Sequence, residues 1–392
     1  MMDSAGRIFG LDVLRALAVL FVVYGHGYNF VGADIPLALY LLPSLDGVTI
    51  FFVLSGFLIG RILLRTVAKH DFDGRMLLQF WVRRWFRTLP NYFAVLVFLV
   101  IAYHALGRPQ PDGLLRYFFF AQNIAWPHPN FFVEAWSLSV EEWFYLCIPI
   151  PLYLSTKLPN VDKRRLMLFW IAAVIVLVTS FRIYRVMHFG YSSVVEWDEA
   201  LRRQVLPRMD SLMFGVLGAY LSLYEPELWR RGAKLAFLVG IVLLSIDKAL
   251  TTAQNIAYLN YFSLTVGAVA TLLLLPALSS WRVASGGVAA AFTFISIVSY
   301  SMYLLHLAVV QGVIMPSISR AIAPVCSACV ESRPMQYAAY WVVTFLGSFL
   351  LYRYFERPTT RLREKWPFRQ SAAAIAFAVS ASSPIARPIN GE

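Results

Sequence analysis

The chain has 392 residues, of which 59% are hydrophobic, 16% aromatic and only 14% charged. Average proteins are about 45–50% apolar and about 25% charged, so this composition excludes an ordinary water-soluble domain. The formal net charge of +12 would suit nucleic acid, but the basic residues fall between apolar runs, where the enrichment of cytoplasmic loops in Lys and Arg accounts for them, and no nucleic acid is expected as a partner.

Apolar runs of roughly 20 residues, the length that crosses a bilayer, predict an all-α integral membrane protein, a polytopic bundle of about ten transmembrane helices. The expected spans are 8–30, 45–64, 90–107, 135–155, 166–187, 208–224, 235–250, 258–278, 289–315 and 336–356. The first run carries charge and is followed by further spans, so it reads as a retained helix and not a cleaved signal peptide. Between the second and third spans, Phe80, Trp81, Trp85 and Phe86 interleave with Arg83, Arg84 and Arg87, a pattern suited to a helix lying at the headgroup level. Pro90 then opens the third span, where a first-turn proline is tolerated.

Charge sorts the loops. Arg65, Arg75, Arg83, Arg84, Arg87, Lys163, Arg164, Arg230, Arg231 and Arg357 fall on one side, and fewer cations fall on the other. The positive-inside rule then places both termini in the cytoplasm. Residues 1–370 form one transmembrane domain, and the Ala/Ser/Pro-rich segment 371–392 is expected to be a disordered cytoplasmic tail. Cys147 falls in a span, while Cys326 and Cys329 fall in an outer loop, where pairing and free thiols are both open. No internal repeat is evident, which disfavours inverted-repeat transporter folds.

Within the first span stand Asp12, Arg15 and His26. An Arg at the centre of such a helix costs about 2.5–3.5 kcal/mol on insertion scales, and in a spanning helix that cost usually marks function. Arg15 and His26 are eleven residues apart, close to three helical turns, so both project from nearly one face, ~16 Å apart along the axis. Asp12, three residues before Arg15, is expected to neutralise it. Glu141, Glu142, Asp210 and His306 fall at the depth of His26. A carboxylate beside a histidine orients the ring and raises its basicity, as general-base catalysis requires. Metal binding lacks supporting His-x-x-x-His or Cys/His spacing. On the inner side, Arg83, Arg84 and Arg87 with their aromatic neighbours suit a phosphorylated, adenine-bearing ligand. There is no Walker A or G-x-G-x-x-G signature to support nucleotide hydrolysis. A proton-coupled transporter or flippase of a glycan or small molecule is the alternative use of such intramembrane groups.

Six segments together resemble the membrane-bound acyltransferase family 3, which includes bacterial O-acetyltransferases of O-antigen, exopolysaccharide and Nod factor. They are Leu11-Asp-Val-Leu-Arg15 with the Arg15/His26 pair, Gly47-Val-Thr-Ile-Phe-Phe-Val-Leu-Ser-Gly-Phe-Leu-Ile59, Arg83-Arg-Trp-Phe-Arg-Thr-Leu-Pro90, Trp136-Ser-Leu-Ser-Val-Glu-Glu-Trp-Phe-Tyr145, Tyr300-Ser-Met-Tyr-Leu-Leu-His306 and Phe355-Glu-Arg-Pro358. The resemblance implies transfer of an acyl group, usually acetyl from cytoplasmic acetyl-CoA, to a hydroxyl of an extracytoplasmic or lipid-linked carbohydrate. Acyl-CoA is then a co-substrate and no cofactor is held permanently. The enzyme would sit in the bacterial inner membrane with its active site open to the periplasm. His26 becomes the expected base or transient acyl carrier, oriented by Glu141, with Arg15 toward the donor and Arg83, Arg84 and Arg87 on the CoA phosphates. Glu142 and Asp210 are supporting residues, and Ser55, Tyr303 and His306 are candidate oxyanion donors. The family commonly has Gln where Trp143 stands. The chain is expected to be the form without an attached extracytoplasmic hydrolase domain.

Overall fold

The computed structural model describes residues 7–31, 45–69 and 72–362, and every regular element within them is a helix. The expected tail at 371–392 lies outside the described residues. Along the chain run α1 (Phe9–Val31), α2 (Gly47–Lys69), α3 (Gly74–Ala105), α4 (Ala135–Cys147), α5 (Pro149–Ser155) and α6 (Lys163–Phe189). They are followed by α7 (Met209–Tyr224), α8 (Ala233–Thr252), α9 (Leu264–Ser280), α10 (Gly287–Leu305), α11 (Met315–Ile322), α12 (Arg333–Leu351) and α13 (Arg357–Leu362). Cys326 and Cys329 are joined as a disulfide in the connection between α11 and α12.

Seven helical stretches are long and apolar enough to cross a membrane: those built on α1, α2, α3, α6, α8, α9 and α10. The other three expected spans are helical but of a different character. The segment 135–155 is divided into α4 and α5 at Pro149, whose ring nitrogen has no N–H to continue the ladder. Helix α7 has only 16 residues, and α12 starts with Arg333, Pro334 and Gln336 before passing into a π turn at Tyr352–Glu356.

A second correction concerns residues 65–90. Instead of an interfacial helix followed by a span, residues Gly74–Ala105 form one 32-residue helix that runs through Pro90. Asp73 caps it, accepting from the Met76 amide at 2.7 Å. The arginine-rich stretch is therefore the N-terminal part of one long helix, and that helix packs into the bundle: Tyr300 of α10 donates to the Thr88 carbonyl at 2.7 Å.

Small residues set the closeness of the central helices. A Cβ added to Gly56 of α2 would lie 1.9 Å from the Leu212 carbonyl oxygen of α7, and one on Gly215 would lie 2.1 Å from the Val53 carbonyl oxygen. Without lipid-versus-water contrast to drive helices together, such backbone approach supplies the dispersion contact. Next to this seam, α4 is buried almost throughout, from Ala135 to Tyr145. That burial carries its polar residues, Ser137, Ser139, Glu141 and Glu142, into the bundle interior.

Candidate active site

Two polar clusters occupy the interior, and the helices α1, α4 and α10 run through both. The outer cluster centres on His26 and His306. Their rings meet Nδ1 to Nε2 at 2.9 Å, with centroids 5.0 Å apart. His26 is exposed and His306 is wholly buried. The Nδ1 of His306 lies 2.7 Å from the Tyr303 carbonyl and 3.2 Å from the Met302 carbonyl. A carbonyl only accepts, so this nitrogen carries the proton, and Nε2 of the neutral ring is an acceptor. It follows that His26 donates its Nδ1–H to His306 and presents an unprotonated Nε2. The pairing defines which nitrogen of the exposed ring is basic.

Around the pair, Tyr303 shares a 2.6 Å hydrogen bond with Ser137 and donates to the Glu134 carbonyl at 3.2 Å. The Glu134 carboxylate accepts the amides of Leu307 and Ala308 at 3.1 and 2.8 Å. Gln311 donates to the His26 carbonyl at 2.9 Å, and a π turn runs from His306 to Ile314. Arg202, Arg203 and Asp198 lie within electrostatic reach of His26. Arg202 is held by Asp198 at 2.9 Å and Asp46 at 3.4 Å, above the Trp136 ring at 5.2 Å. Burial opposes the Arg202 charge, but Asp46 and Asp198 outweigh it and hold the guanidinium above its ordinary value.

The inner cluster centres on Arg84. Its Nη2 donates to the Tyr145 hydroxyl at 2.5 Å and stands 3.5 Å from Glu141, with the guanidinium 4.0 Å over the Tyr145 ring. Ser55 donates to the other oxygen of Glu141 at 2.9 Å, and Thr88 donates to Glu142 at 2.7 Å. Arg15 is half-buried and makes no hydrogen bond or ion pair among the described residues, with Arg84 and Arg87 in electrostatic reach. Arginine side chains gathered at one place suit an anionic ligand. Arg83 is half-buried and Arg87 is exposed. Glu356, within electrostatic reach of Arg87, accepts from Asn91 at 2.9 Å and Ser301 at 2.6 Å, tying α3 to α10.

Several expectations need correction on this geometry. Asp12 does not form the expected pair with Arg15: it forms a two-pronged pair with Arg7 at 2.5 and 2.9 Å and accepts from Ser296 at 2.9 Å. Glu141 does not orient His26, since its oxygens are turned to Ser55 and Arg84, about two turns further along the chain than Glu134. Asp210 is not at the histidine site; it is fully buried against Arg182 at 2.7 Å. Ser55 belongs to the inner cluster. His306 is no oxyanion donor, because its one N–H is spent on backbone carbonyls. Trp143, in the place where Gln is common, donates its indole N–H to the Phe120 carbonyl at 3.0 Å, so a polar contact is kept there.

Sequence reasoning missed Glu134, Ser137, Thr88 and Tyr145. Glu134 had a legible signal, a lone carboxylate inside Phe131-Phe-Val-Glu-Ala-Trp136. The others are ordinary polar residues on helices, and only tertiary packing reveals their partners.

The bundle and its buried polar clusters define a helical, membrane-type protein with a paired-histidine cluster in its interior. The acyltransferase domain of the acyltransferase 3 type matches residues 8–353, and the chain belongs to that family. Among named relatives, the peptidoglycan O-acetyltransferase OatA of Listeria monocytogenes is 28% identical over 279 residues, covering 60% of this chain and 43% of that protein. A Staphylococcus aureus protein provisionally named an O-acetyltransferase is 28% identical over 341 residues, covering 78% of this chain and 51% of that protein. YrhL of Bacillus subtilis, provisionally named a peptidoglycan O-acetyltransferase, is 34% identical over 157 residues, 36% of this chain and 23% of that protein. The chain spans about half the length of the first two relatives. No solved structure matches it.

Proposed function

We propose that this protein is a membrane O-acyltransferase that takes an acetyl group from cytoplasmic acetyl-CoA and delivers it to a carbohydrate hydroxyl on the outer side of the membrane. The observation that carries this reading is the His26–His306 pair, whose hydrogen bonds leave His26 Nε2 as an exposed base. The names of the relatives support the acetyl group and the carbohydrate acceptor. Arg15, with Arg84 and Arg87 in reach, supports a phosphate-bearing donor on the inner side. Glu141 and Tyr145 hold the Arg84 fork in place for it.

In the proposed step, His26 Nε2 takes the proton of the acceptor hydroxyl as its oxygen attacks the thioester carbonyl. The C–S bond then breaks, and the imidazolium returns the proton to the departing CoA sulfur. His306 Nε2, accepting from His26 Nδ1–H, stabilises the charge that the His26 ring gains. Arg15 and His26, ~16 Å apart along α1, stand at the two ends of the path from donor phosphates to thioester.

Inside-out vesicles supplied with acetyl-labelled acetyl-CoA test the reading. Wild-type vesicles should move label onto envelope glycan, and His26→Ala vesicles with equal amounts of the protein should move none. Full transfer by His26→Ala refutes the base, and label that stays on CoA in wild-type vesicles refutes the acyltransferase.

A further inference from the structure

Glu134 immediately precedes α4 and is 2% exposed. Its Oε1 accepts two consecutive backbone amides of another part of the chain, Leu307 at 3.1 Å and Ala308 at 2.8 Å. Its Oε2 is buried with no partner among the described residues. A carboxylate that two amides engage so far inside a bundle needs an explanation, and the ladder of α10 supplies it.

In an unbroken α-helix the Leu307 amide bonds to the Tyr303 carbonyl, four residues back. Here the Tyr303 carbonyl accepts the Nδ1–H of His306 at 2.7 Å instead. The amide so released has gone to Glu134, and the π turn starts at His306 itself. π turns inside α-helices shift the ladder by one residue and recur at functional sites. The contacts are thus an exchange: the imidazole takes the carbonyl, and the carboxylate takes the amide. Each half requires the other, because an amide taken out of water without an acceptor keeps its full desolvation penalty.

We propose that Glu134 is the positioning residue of the histidine pair, fixing which ring nitrogen of His306, and through it of His26, carries the proton. The inference rests on the reading of His26 as the base. Without an acceptor at position 134, the Leu307 amide recaptures the Tyr303 carbonyl and the helix regains α register. His306 Nδ1–H then has no acceptor, and the ring turns to its other tautomer, with the proton on Nε2. That nitrogen now donates toward His26 Nδ1, so the His26 proton moves to Nε2, the nitrogen that must accept from the substrate. Glu134 is asked only to accept two hydrogen bonds, and the side-chain oxygen of Gln does the same without a charge.

The experiment compares Glu134→Gln and Glu134→Ala in the full chain, in inside-out vesicles of the native host with labelled acetyl-CoA. It also reads the ring-nitrogen NMR signals of protein carrying [15N]histidine. Glu134→Gln should retain transfer within threefold of wild type and keep a protonated Nδ1 at His306. Glu134→Ala should lose at least 100-fold in kcat with the KM for acetyl-CoA unchanged, and its His306 signal should move to protonated Nε2; a wrong tautomer in a catalytic histidine costs about 10⁴-fold in serine proteases. A folded but silent Glu134→Gln overturns the proposal, because it makes the carboxylate a proton carrier. So does Glu134→Ala with wild-type kcat or with unmoved histidine signals. If His26→Ala is silent while Glu134→Ala matches wild type, this inference fails and the acyltransferase reading stands; full transfer by His26→Ala removes both.

Discussion

Replacing Arg182 by Met separates structure from chemistry in this interior. Arg182 and Asp210 are 1% and 0% exposed, and their 2.7 Å contact corresponds to an attraction of about 6 kcal/mol at an effective dielectric constant near 20. Removing both charges from solvent offsets most of that attraction, so the pair adds little over an apolar one. Breaking it is another matter. Arg182→Met takes the ion-pair partner from the buried Asp210 carboxylate and also removes the donors to the Pro207 carbonyl at 3.0 Å and Thr265 at 2.5 Å. The expected loss is about 3–5 kcal/mol, a shift of roughly 10²- to 10⁴-fold in the folding equilibrium. Thermal unfolding in detergent and the amount of protein in the membrane should both fall. The double variant Arg182→Met/Asp210→Leu should recover most of both, since it leaves neither member of the pair without the other, and should transfer acetyl groups at near the wild-type rate per folded molecule. A double variant that folds normally but is silent would show that Asp210 takes part in the chemistry and would refute its assignment as one half of a structural pair.

Two further outcomes follow from the geometry. Gly56→Ala puts a methyl group 1.9 Å from the Leu212 carbonyl oxygen, so α2 and α7 must part by about 1.5 Å to restore ordinary contact at 3.4 Å. Overpacking of this kind costs about 1–3 kcal/mol, visible as a lower unfolding temperature, whereas Gly287→Ala, with nothing within 4 Å, should leave that temperature unchanged. Arg84→Lys keeps the charge but loses the planar fork that stacks on Tyr145 and reaches Glu141. A hydrogen bond to a charged group contributes about 1.5–3 kcal/mol, so the KM for acetyl-CoA should rise at least tenfold with kcat little changed. An unaltered KM would remove Arg84 from the donor site.

The first helix shows how much of the site the sequence carries. Asp12, Arg15 and His26 stand out because charge and imidazole are rare in apolar runs, and their spacing along a 3.6-residue helix puts Arg15 and His26 on one side without reference to any other element. His306 is legible for the same reason. The partners are not. Asp12 is three residues from Arg15, a distance that suits an i,i+3 pair, yet it turns to Arg7 because the competition between two cations depends on reach and on where Ser296 of α10 stands. Glu141 is an intramembrane carboxylate as surely as Glu134, but their positions on α4 and its approach differ by about two turns, and only the packing of α4 against α2, α3 and α10 decides that one meets Arg84 and the other the backbone of the π turn.

Pro90 and Pro149 illustrate the same division for the fold. Each lacks an N–H, and local chemistry treats them alike. The chain passes through the first and breaks its helix at the second. In sequence, the apolar runs of about 20 residues, the basic segments between them and the rare polar residues within them are determined outright, because length, charge and hydrophobicity are properties of consecutive residues. Which imidazole nitrogen is basic is a property of no single segment. It depends on the His306 ring meeting the Tyr303 carbonyl and the Leu307 amide meeting the Glu134 carboxylate, each within about 3 Å, and residues 134 and 307 come within that distance only when the tertiary structure closes.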